Sequence, residues 1–456
     1  MTIRTTGLVC LLSLVACNGD GGTKTNTNTN TNTNTNTNTV TNTIVQNAQC
    51  TSDGVCRLTG TITEDATLTA DKQWVLSGGV FIGDDTNETV LTIEPGTTIY
   101  GENSTRGMLV VTRGSKLVAE GTADAPIVFT SSKAPGSRAR GDWGGLILNG
   151  RAPINNCVAD GDGCEQFGEG GTGYFGGDDP ADSSGSLEYV RVEFAGTLIS
   201  PDNELNGIAF QGVGSGTHVD YVQVHMNADD GIEFFGGTVE WKHVLVTGVG
   251  DDMLDWTDGW RGKGQFFVGQ QYSDNGDQGL EADNNGEDNE LTPRSNPLLS
   301  NITLIGSPDS TSSDFGALLR EGTGGSLHNF VIDGFNQACI SMSQASTLTQ
   351  IAQGNLTMDD SIINCATLFE SDDANGDVLD VDIQDWFEAG ANNVAVDPLL
   401  ADPFNEAAPN FAPANGSPAA TGAVVPNDAF FDQVGYRGGV DPTDDWTVGW
   451  TTAERN

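Results

Sequence analysis

Asp230–Phe234 reads Asp-Gly-Ile-Glu-Phe, and one repeat further on Asp252–Trp256 reads Asp-Met-Leu-Asp-Trp. The pattern is a small or polar residue, an apolar residue, any residue, and an apolar or aromatic residue. It recurs in steps of about 22 to 26 residues, apart from one longer step that spans an insertion at 287–297. Its other copies are Asn206–Phe210, Gln278–Glu281, Phe315–Leu318 and Ala338–Met342.

A second pattern, apolar-x-x-apolar-x-apolar, alternates with the first. Its copies begin at Leu187, Val219, Trp241, Leu299 and Leu327. Two strand motifs in each repeat of about 23 residues are typical of a solenoid whose inward side chains stack between coils. The repeats therefore predict a parallel β-helix.

The composition fits a β-rich globular chain. From about Leu58, short β-branched and aromatic runs are separated by Gly, Asp, Asn and Pro, which favours an all-β architecture. The formal net charge is -44, so nucleic acid and anionic lipid headgroups are poor partners, whereas cations and cationic ligands are good ones. Solubility or adaptation to salt is an alternative explanation of this charge.

Other stretches carry a resemblance to a known class of proteins. They are Leu91–Thr97, Gly114–Ala123, Pro126–Ser131, Gly141–Gly145, Gly416–Ala419 and Asp445–Thr451. Together they look like the coils of bacterial pectin-lyase-like proteins, and the likeness implies a right-handed parallel β-helix. It does not fix an activity, because this fold carries lyases, hydrolases and adhesins.

The N-terminus has the features of an export signal. Arg4 precedes an apolar run, Leu8–Val15, that is too short to span a bilayer. Leu14–Cys17 resembles the lipobox of bacterial lipoproteins, which implies a diacylglycerol on Cys17 and a membrane partner through that lipid. Asn18 resembles the residue of lipoproteins sorted to the outer membrane, so we expect an outer-membrane lipoprotein facing the periplasm or the cell surface. A chance cysteine in an ordinary signal peptide is the alternative.

The sequence divides into five segments. Residues 1–16 are the signal, and 17–48 hold the lipidated cysteine and a disordered tether of Thr-Asn repeats with almost nothing apolar to bury. Residues 49–66 are predicted to form an N-terminal disulfide cap, 67–400 the β-helix, and 401–456 a C-terminal cap or tail. We expect a monomer that the tether holds away from the membrane.

The remaining cysteines favour disulfides, because their number is even and the chain has an export signal. We expect the pairs Cys50 with Cys56, Cys157 with Cys164, and Cys339 with Cys365, since the first two loops are short and rich in turn residues. A zinc site is the competing interpretation. It is not favoured, because the chain has no CxxC pair and its histidines lie far from the cysteines in sequence.

Nine acidic residues occupy matching positions of three consecutive repeats, and we call them the acidic column. They are Asp229, Asp230, Glu233, Asp251, Asp252, Asp255, Asp277, Glu281 and Asp283. Matching positions of stacked coils lie about 4.8 Å apart, where two carboxylates repel by about 3.5 kcal/mol at an effective dielectric constant of about 20. Calcium would compensate this charge, because it accepts about six to eight oxygen ligands. Alternatively, these residues cap the coil turns by accepting backbone hydrogen bonds.

Catalysis is a third interpretation of the acidic column. Asn227–Asp229 and Gly250–Asp252 resemble two motifs of polygalacturonase-type glycoside hydrolases, which implies that Asp229, Asp251 and Asp252 act as general acid and base. The histidine and Arg-Ile-Lys motifs that follow in those enzymes are missing from the next repeats.

A polysaccharide lyase would use other residues beside calcium-bound acids. Arg261 or Lys263 would be its base, and Trp256 and Trp260 would stack on sugar rings. The polar residues around these tryptophans favour an exposed setting. A salt bridge for Arg261 and core packing for the tryptophans are the alternatives.

The sequence thus predicts a lipid-anchored cell-envelope β-helix protein without catalytic activity. Its acidic, calcium-binding surface would bind a polysaccharide or an envelope surface protein. The alternative is a calcium-dependent polysaccharide lyase or glycoside hydrolase that uses the same flank.

Overall fold

The computed structural model describes residues 45–157, 164–199 and 204–456. The signal, Cys17 and the tether up to residue 44 lie outside the described residues, so the statements about them stay predictions. None of the helices within those ranges is long and apolar enough to cross a membrane.

The described chain is a solenoid with three parallel β-sheets, which we number face 1, face 2 and face 3. Six long strands run across face 1 and then bend onto face 2. They are Gly185–Glu193, His218–His225, Glu240–Thr247, Lys263–Gln270, Leu298–Ile305 and Gly325–Asp333. Each of the first five pairs in parallel with the long strand of the next coil.

Shorter strands complete the faces. Face 1 also contains Ala66–Leu68, Val90–Ile93, Lys116–Glu120 and Leu356–Asp359. Face 2 also contains Thr98–Gly101, Ile127–Ser131, Ile362–Asn364 and Val394–Ala395. Val55–Ile62 and Gln73–Ile82 each contribute to faces 2 and 3. The other strands of face 3 are Met108–Val111, Gly145–Asn149, Ile208–Gln211, Ile232–Phe235, Leu254–Thr257, Leu280–Ala282, Phe315–Leu319, Ala338–Met342 and Phe369–Ser371.

Alternation along the face 3 strands decides which side chains enter the core. Ile232 and Phe234 are buried inside the solenoid, so Glu233 between them points outward. Inward rings stack from coil to coil, as Phe210 and Phe234 do with their centroids 5.2 Å apart. The right-handed parallel β-helix predicted from the sequence is confirmed, with its core running along the solenoid axis.

The bend between faces 1 and 2 uses a left-handed residue in every long strand. The φ angles are 48° at Tyr189, 52° at Tyr221, 45° at His243, 64° at Phe266, 60° at Asn301 and 58° at Asn329. Bulky residues seldom adopt this conformation. The first four form what we call the corner ladder, in which successive ring centroids lie 4.5, 4.3 and 4.8 Å apart.

Several elements extend from the coils. At the N-terminus, Ala48–Cys50 pairs antiparallel with Val55–Ile62. Two helices, Ala345–Gln353 and Asp380–Ala389, follow face 3 strands near the other end of the described solenoid. Further elements are the hairpins Gln166–Phe167 with Tyr174–Phe175 and Leu400–Asp402 with Asn410–Pro413, and the 3-10 turns Asn103–Thr105, Glu169–Gly171 and Pro418–Ala420.

The three predicted disulfides are confirmed. Cys50 is bonded to Cys56 in the N-terminal hairpin, and Cys157 to Cys164. Cys339 is bonded to Cys365 with their Cα atoms 5.4 Å apart, which links two coils near the C-terminal end.

Residues 424–454, which we call the strap, run back along the outside of the solenoid. Side-chain amides of three coils each exchange two hydrogen bonds with one strap residue, namely Asn329 with Val424, Gln265 with Asp432, and Gln223 with Thr452. The order is reversed relative to the coils, so the strap runs against the direction of stacking. The segment predicted as a C-terminal cap or tail thus lies along the side of the helix.

Candidate functional site

The acidic column lies on the outer side of face 3. Strand register places Glu233 opposite Asp255, and Asp255 opposite Glu281. The next outward residues in the two directions are Ala209 and Leu318. Three carboxylates therefore stack directly, with an apolar residue next to them in each direction.

Asp230 and Asp252 lie in the turns that lead into face 3. Asp230 Oδ1 accepts the backbone N–H of Asp252 at 3.0 Å, and Asp252 Oδ1 accepts that of Gln278 at 2.7 Å. Gln278 continues the series by accepting the N–H of Phe315 at 2.9 Å. These two aspartates do cap the coil turns, as the alternative interpretation predicted, but each bond uses only one of the two carboxylate oxygens.

The nine carboxylates are not evenly spread. Four overlapping groups of three have one ligand oxygen per residue within 4.8 Å of the others. The groups are Asp229 with Asp230 and Asp251, Asp230 with Glu233 and Asp255, Asp251 with Asp252 and Asp277, and Asp252 with Asp255 and Glu281. Asp283 is the one member of the acidic column outside these groups. Buried acidic clusters of this kind can bind a metal ion.

A cationic side chain closes one end of the acidic column. The Arg320 guanidinium donates to Asp283 at 2.9 Å and to Glu281. The strand register places Arg320 beside Asp283, because Ala282 pairs with Leu319 and the residues that follow them therefore align as well. Sequence reasoning missed Arg320, although the motif copy Phe315–Leu318 aligns Leu318 with Glu281 and therefore Arg320 with Asp283, because only acidic residues were sought at these positions.

The other end carries an amide instead of a charge. Asn206 Nδ2 donates to Glu233 Oε2 at 2.5 Å, while Asn206 Oδ1 is buried without a hydrogen-bond partner in the structure. Asp255 Oδ1 is likewise inaccessible and without a partner. Buried polar atoms of this kind are uncommon in native proteins, and an ordered water or an ion would satisfy these two.

The electrostatics of the acidic column are unfavourable. Burial, followed by neighbouring carboxylates, raises the pKa of Asp229 to about 7 and that of Glu281 to about 8. The same two causes raise the pKa values of Glu233 and Asp255 well above the usual range. Burial and like charge therefore oppose ionisation of these groups.

The more exposed edge of the column has related properties. Burial and then Asp251 raise the pKa of Asp277 to about 7, and Asp277 also shares hydrogen bonds with Asp251 and Asp314. The structure brings Asp229, Asp251 and Asp252, the predicted catalytic carboxylates, into neighbouring groups at this edge.

The two tryptophans predicted to bind sugar are not exposed, so that expectation is wrong. Trp256 and Trp260 are 0% exposed and belong to the solenoid core, where Trp260 stacks on Phe234 at 4.2 Å. Trp256 occupies the inward position equivalent to Phe234, two residues after an inward leucine. Strand alternation outweighs the polar neighbours that suggested exposure.

The predicted lyase bases also lie away from the acidic column. Arg261 follows the turn after Leu254–Thr257 and is exposed, and in the described part of the chain it makes no ion pair with a carboxylate of the column. Lys263 pairs with Glu240 and Asp428 at 3.2 and 3.0 Å. Neither base is brought together with Asp229 and Asp251.

An insertion made of residues 150–157 and 164–178 covers outward side chains of face 3 next to the acidic column. Its Ile154 and Phe175 pack on Ala209 and Phe235 of face 3. It also exposes an aromatic pair that the sequence reasoning missed, since Phe167 is 50% and Tyr174 is 45% exposed and their rings meet edge to face at 5.1 Å.

Comparison with known proteins agrees with this architecture. A family model described as a pectate-lyase-like β-helix domain matches residues 60–398. The chain belongs to this family. No curated protein and no solved structure matches the chain. A pectate-lyase-like β-helix domain fits either a surface or binding protein or an enzyme that acts on glycans.

Proposed function

We propose that this protein is a lipid-anchored binding protein of the cell envelope, whose acidic column holds calcium and binds an anionic polysaccharide through it. The observation that carries the proposal is the stack of buried carboxylates, of which only Glu281 and Asp283 have a cationic partner, Arg320, among the described residues. A divalent cation would supply the missing charge.

The ligand chemistry favours calcium over zinc. The four groups of three contain only Asp and Glu, and hard carboxylate oxygens suit calcium, whereas structural zinc sites use Cys and His. Calcium also accepts oxygen atoms from a second molecule in its coordination sphere. A uronate carboxylate would therefore complete the site that the column begins.

The positions of the other predicted residues favour binding over cleavage. Arg261 and Lys263 lie away from the column, and Arg320 is engaged by two carboxylates. A base needs to reach the proton that it removes. The insertion beside the column offers Phe167 and Tyr174 as exposed rings, which suit the apolar side of a sugar ring better than Trp256 does.

One observation favours the second candidate, a glycoside hydrolase. The pKa values of Asp229 and Asp277 are raised to about 7, and a carboxyl group that is half protonated at neutral pH can serve as a general acid. Asp251 lies in a group with each of them and would be the partner base.

The lipid anchor rests on the sequence of the first residues, Leu14–Cys17 above all. Replacing Cys17 with Ala should move the protein from the membrane fraction to the soluble fraction of cells, because no other acyl site is predicted. Wild-type protein that was soluble, or a variant that stayed in the membrane fraction, would contradict the anchor.

The binding proposal is tested with purified protein on an array of polyuronates and neutral glycans, with calcium and with EDTA. We expect calcium-dependent retention on polyuronates, loss of retention in Asp255→Asn, and none of the unsaturated products or new reducing ends that cleavage would release. Asp124→Asn, which changes an exposed carboxylate on a distant turn, is the matched control and should bind normally.

The outcomes separate the two candidates. Cleavage that Asp229→Asn and Asp251→Asn abolish would establish the hydrolase. Retention that is equal in calcium and in EDTA would overturn the role of the ion.

A further inference from the structure

We propose that the acidic column holds two divalent cations, one coil apart, with Asp255 as a ligand common to both. This inference rests on the proposed function, since it concerns the same site. It adds the number of ions, the residues that bind one ion each and the residue that binds both.

The ends of the column limit the number of ions. Between the coils of Asn206 and Glu233, an amide N–H already meets the carboxylate. Between the coils of Glu281 and Arg320, the guanidinium fills the equivalent place and pairs with two carboxylates. Within the outward row of the described face 3 strands, only the two intervals on either side of Asp255 place one carboxylate directly opposite another.

The two intervals have the same construction. The first contains Asp230, Glu233 and Asp255, and the second contains Asp252, Asp255 and Glu281. In each, a turn aspartate uses one oxygen to cap the next coil and an outward carboxylate faces the one above it. Asp255 belongs to both groups, because it is the middle residue of the stack.

The series ends after two copies for a reason visible in the sequence. At the position of Asp230 and Asp252, the next coil carries Gln278, whose amide oxygen caps Phe315 in the same way. A neutral amide and an adjacent guanidinium replace the carboxylates that a third cation would need.

Two buried oxygens mark the same part of the column. Asn206 is 2% exposed and donates its amide N–H to Glu233 of the first group, while its Oδ1 has no hydrogen-bond partner among the described residues. Asp255 Oδ1, at the centre of the stack, is also inaccessible and without such a partner in the described part of the chain. Since Asp255 belongs to both groups, this free oxygen is a ligand of the kind that calcium accepts.

Charge supports two ions better than one. The two groups together contain five different carboxylates, and a single divalent cation would leave one interval with an uncompensated repulsion. Two divalent cations would leave about one negative charge, and the Arg320 guanidinium lies beside it. Like bridging carboxylates elsewhere, Asp255 would lie between the two ions.

The test counts ions and then removes them separately. Native mass spectrometry and calorimetric titration of the purified chain with calcium should give two ions per chain. Glu233→Gln and Glu281→Gln should each leave one ion, because each residue belongs to a single interval. Asp255→Asn should weaken both ions by about tenfold or more, since even outer-shell partners of a metal contribute about 10–100-fold to affinity.

A spectroscopic readout keeps the inference testable if a variant folds poorly. Manganese bound to the wild-type protein should give the electron paramagnetic resonance signature of two coupled ions. Asp124→Asn is the control and should retain two ions. One ion in the wild type, with no coupling, would overturn the two-ion inference and leave the proposed function intact. An absence of any ion would overturn both.

Discussion

Two rows of side chains cross the same coils of this solenoid, and stacking has opposite consequences for them. In the corner ladder, Tyr189, Tyr221 and His243 lie with their ring centroids 4.5 and 4.3 Å apart, a distance at which aromatic rings attract. On face 3, carboxylates meet within 4.8 Å, a distance at which they repel by about 3.5 kcal/mol for an effective dielectric constant of about 20. The same repeat geometry therefore gives one row whose neighbouring side chains attract each other and one row whose neighbouring side chains repel each other.

What covers each row follows from that difference. The strap places Trp446 and Trp450 edge-on against the corner ladder, at 5.3 Å from His243 and 5.5 Å from Tyr189. Among the described residues, the acidic column has only Arg320 at one end and Asn206 at the other. The chain itself covers the aromatic row, whereas its described residues supply the carboxylate row with one cation, which is why we place the proposed function on face 3.

We expect the largest effect from Trp450→Ala, which removes a ring that the strap packs against the corner ladder. Trp450 is 2% exposed and contacts Tyr189 and Tyr221, and its indole N–H donates to the Trp446 carbonyl. Removing a buried Trp costs about 3–5 kcal/mol of the free energy of unfolding. Denaturant unfolding followed by fluorescence and circular dichroism measures the loss. Val448→Ala is the matched control, because Val448 is 71% exposed and only two residues away. Equal stability of the two variants would show that the strap does not support the ladder.

The second test predicts that one substitution has opposite effects on stability without and with calcium. In EDTA at pH 7, Asp255→Asn should raise the free energy of unfolding by at least about 1.4 kcal/mol, the equivalent of one pKa unit, because folding no longer has to place a carboxyl group with a raised pKa in the column. In calcium the same substitution should lower stability, because it removes a ligand of the ion. Thermal unfolding in the two buffers measures both changes, with Asp124→Asn unchanged throughout. A substitution that destabilises equally in EDTA and in calcium would mean that Asp255 has a purely structural role.

Much of this arrangement was predictable from the sequence, because the recurring strand motif fixes the register. The motif copies align Glu233 with Asp255 and Glu281, and the structure pairs the same residues. The disulfides were predictable because two of the loops are short. The same repeat also held the answer for Trp256, since the pattern that sends Phe234 inward sends Trp256 inward, in agreement with the core packing that the sequence left open as the alternative.

The rest could not be read from a repeat. The motif copy Phe315–Leu318 aligns Arg320 with Asp283, but the ion pair between them depends on side-chain orientations that the pattern does not give. The strap has no repeat at all, and the residues that it contacts lie as far away as Gln223, which bonds to Thr452. Contacts between such distant segments depend on the folded shape, and no local pattern encodes them.

The smallest expected effect concerns the side of the solenoid that the strap covers, and it is measured as a dependence of stability on pH. His225 is buried, with Nε2 donating to the Glu454 carbonyl and Nδ1 accepting from the Thr247 hydroxyl. Burial, followed by Arg140, Arg191 and Arg455, lowers the pKa of His225 to about 4.

A lowered histidine pKa contributes stability that is present above the unfolded value of about 6.5 and is lost as the pH falls towards 4. Between pH 7 and 4.5 the wild type should therefore lose about 2 kcal/mol relative to His225→Gln, at about 1.4 kcal/mol per pH unit below 6.5. Taking the difference between the two proteins cancels the carboxylates of face 3, whose raised pKa values act in the opposite direction. A difference in the free energy of unfolding that is independent of pH would show that this imidazole is not held neutral beneath the strap.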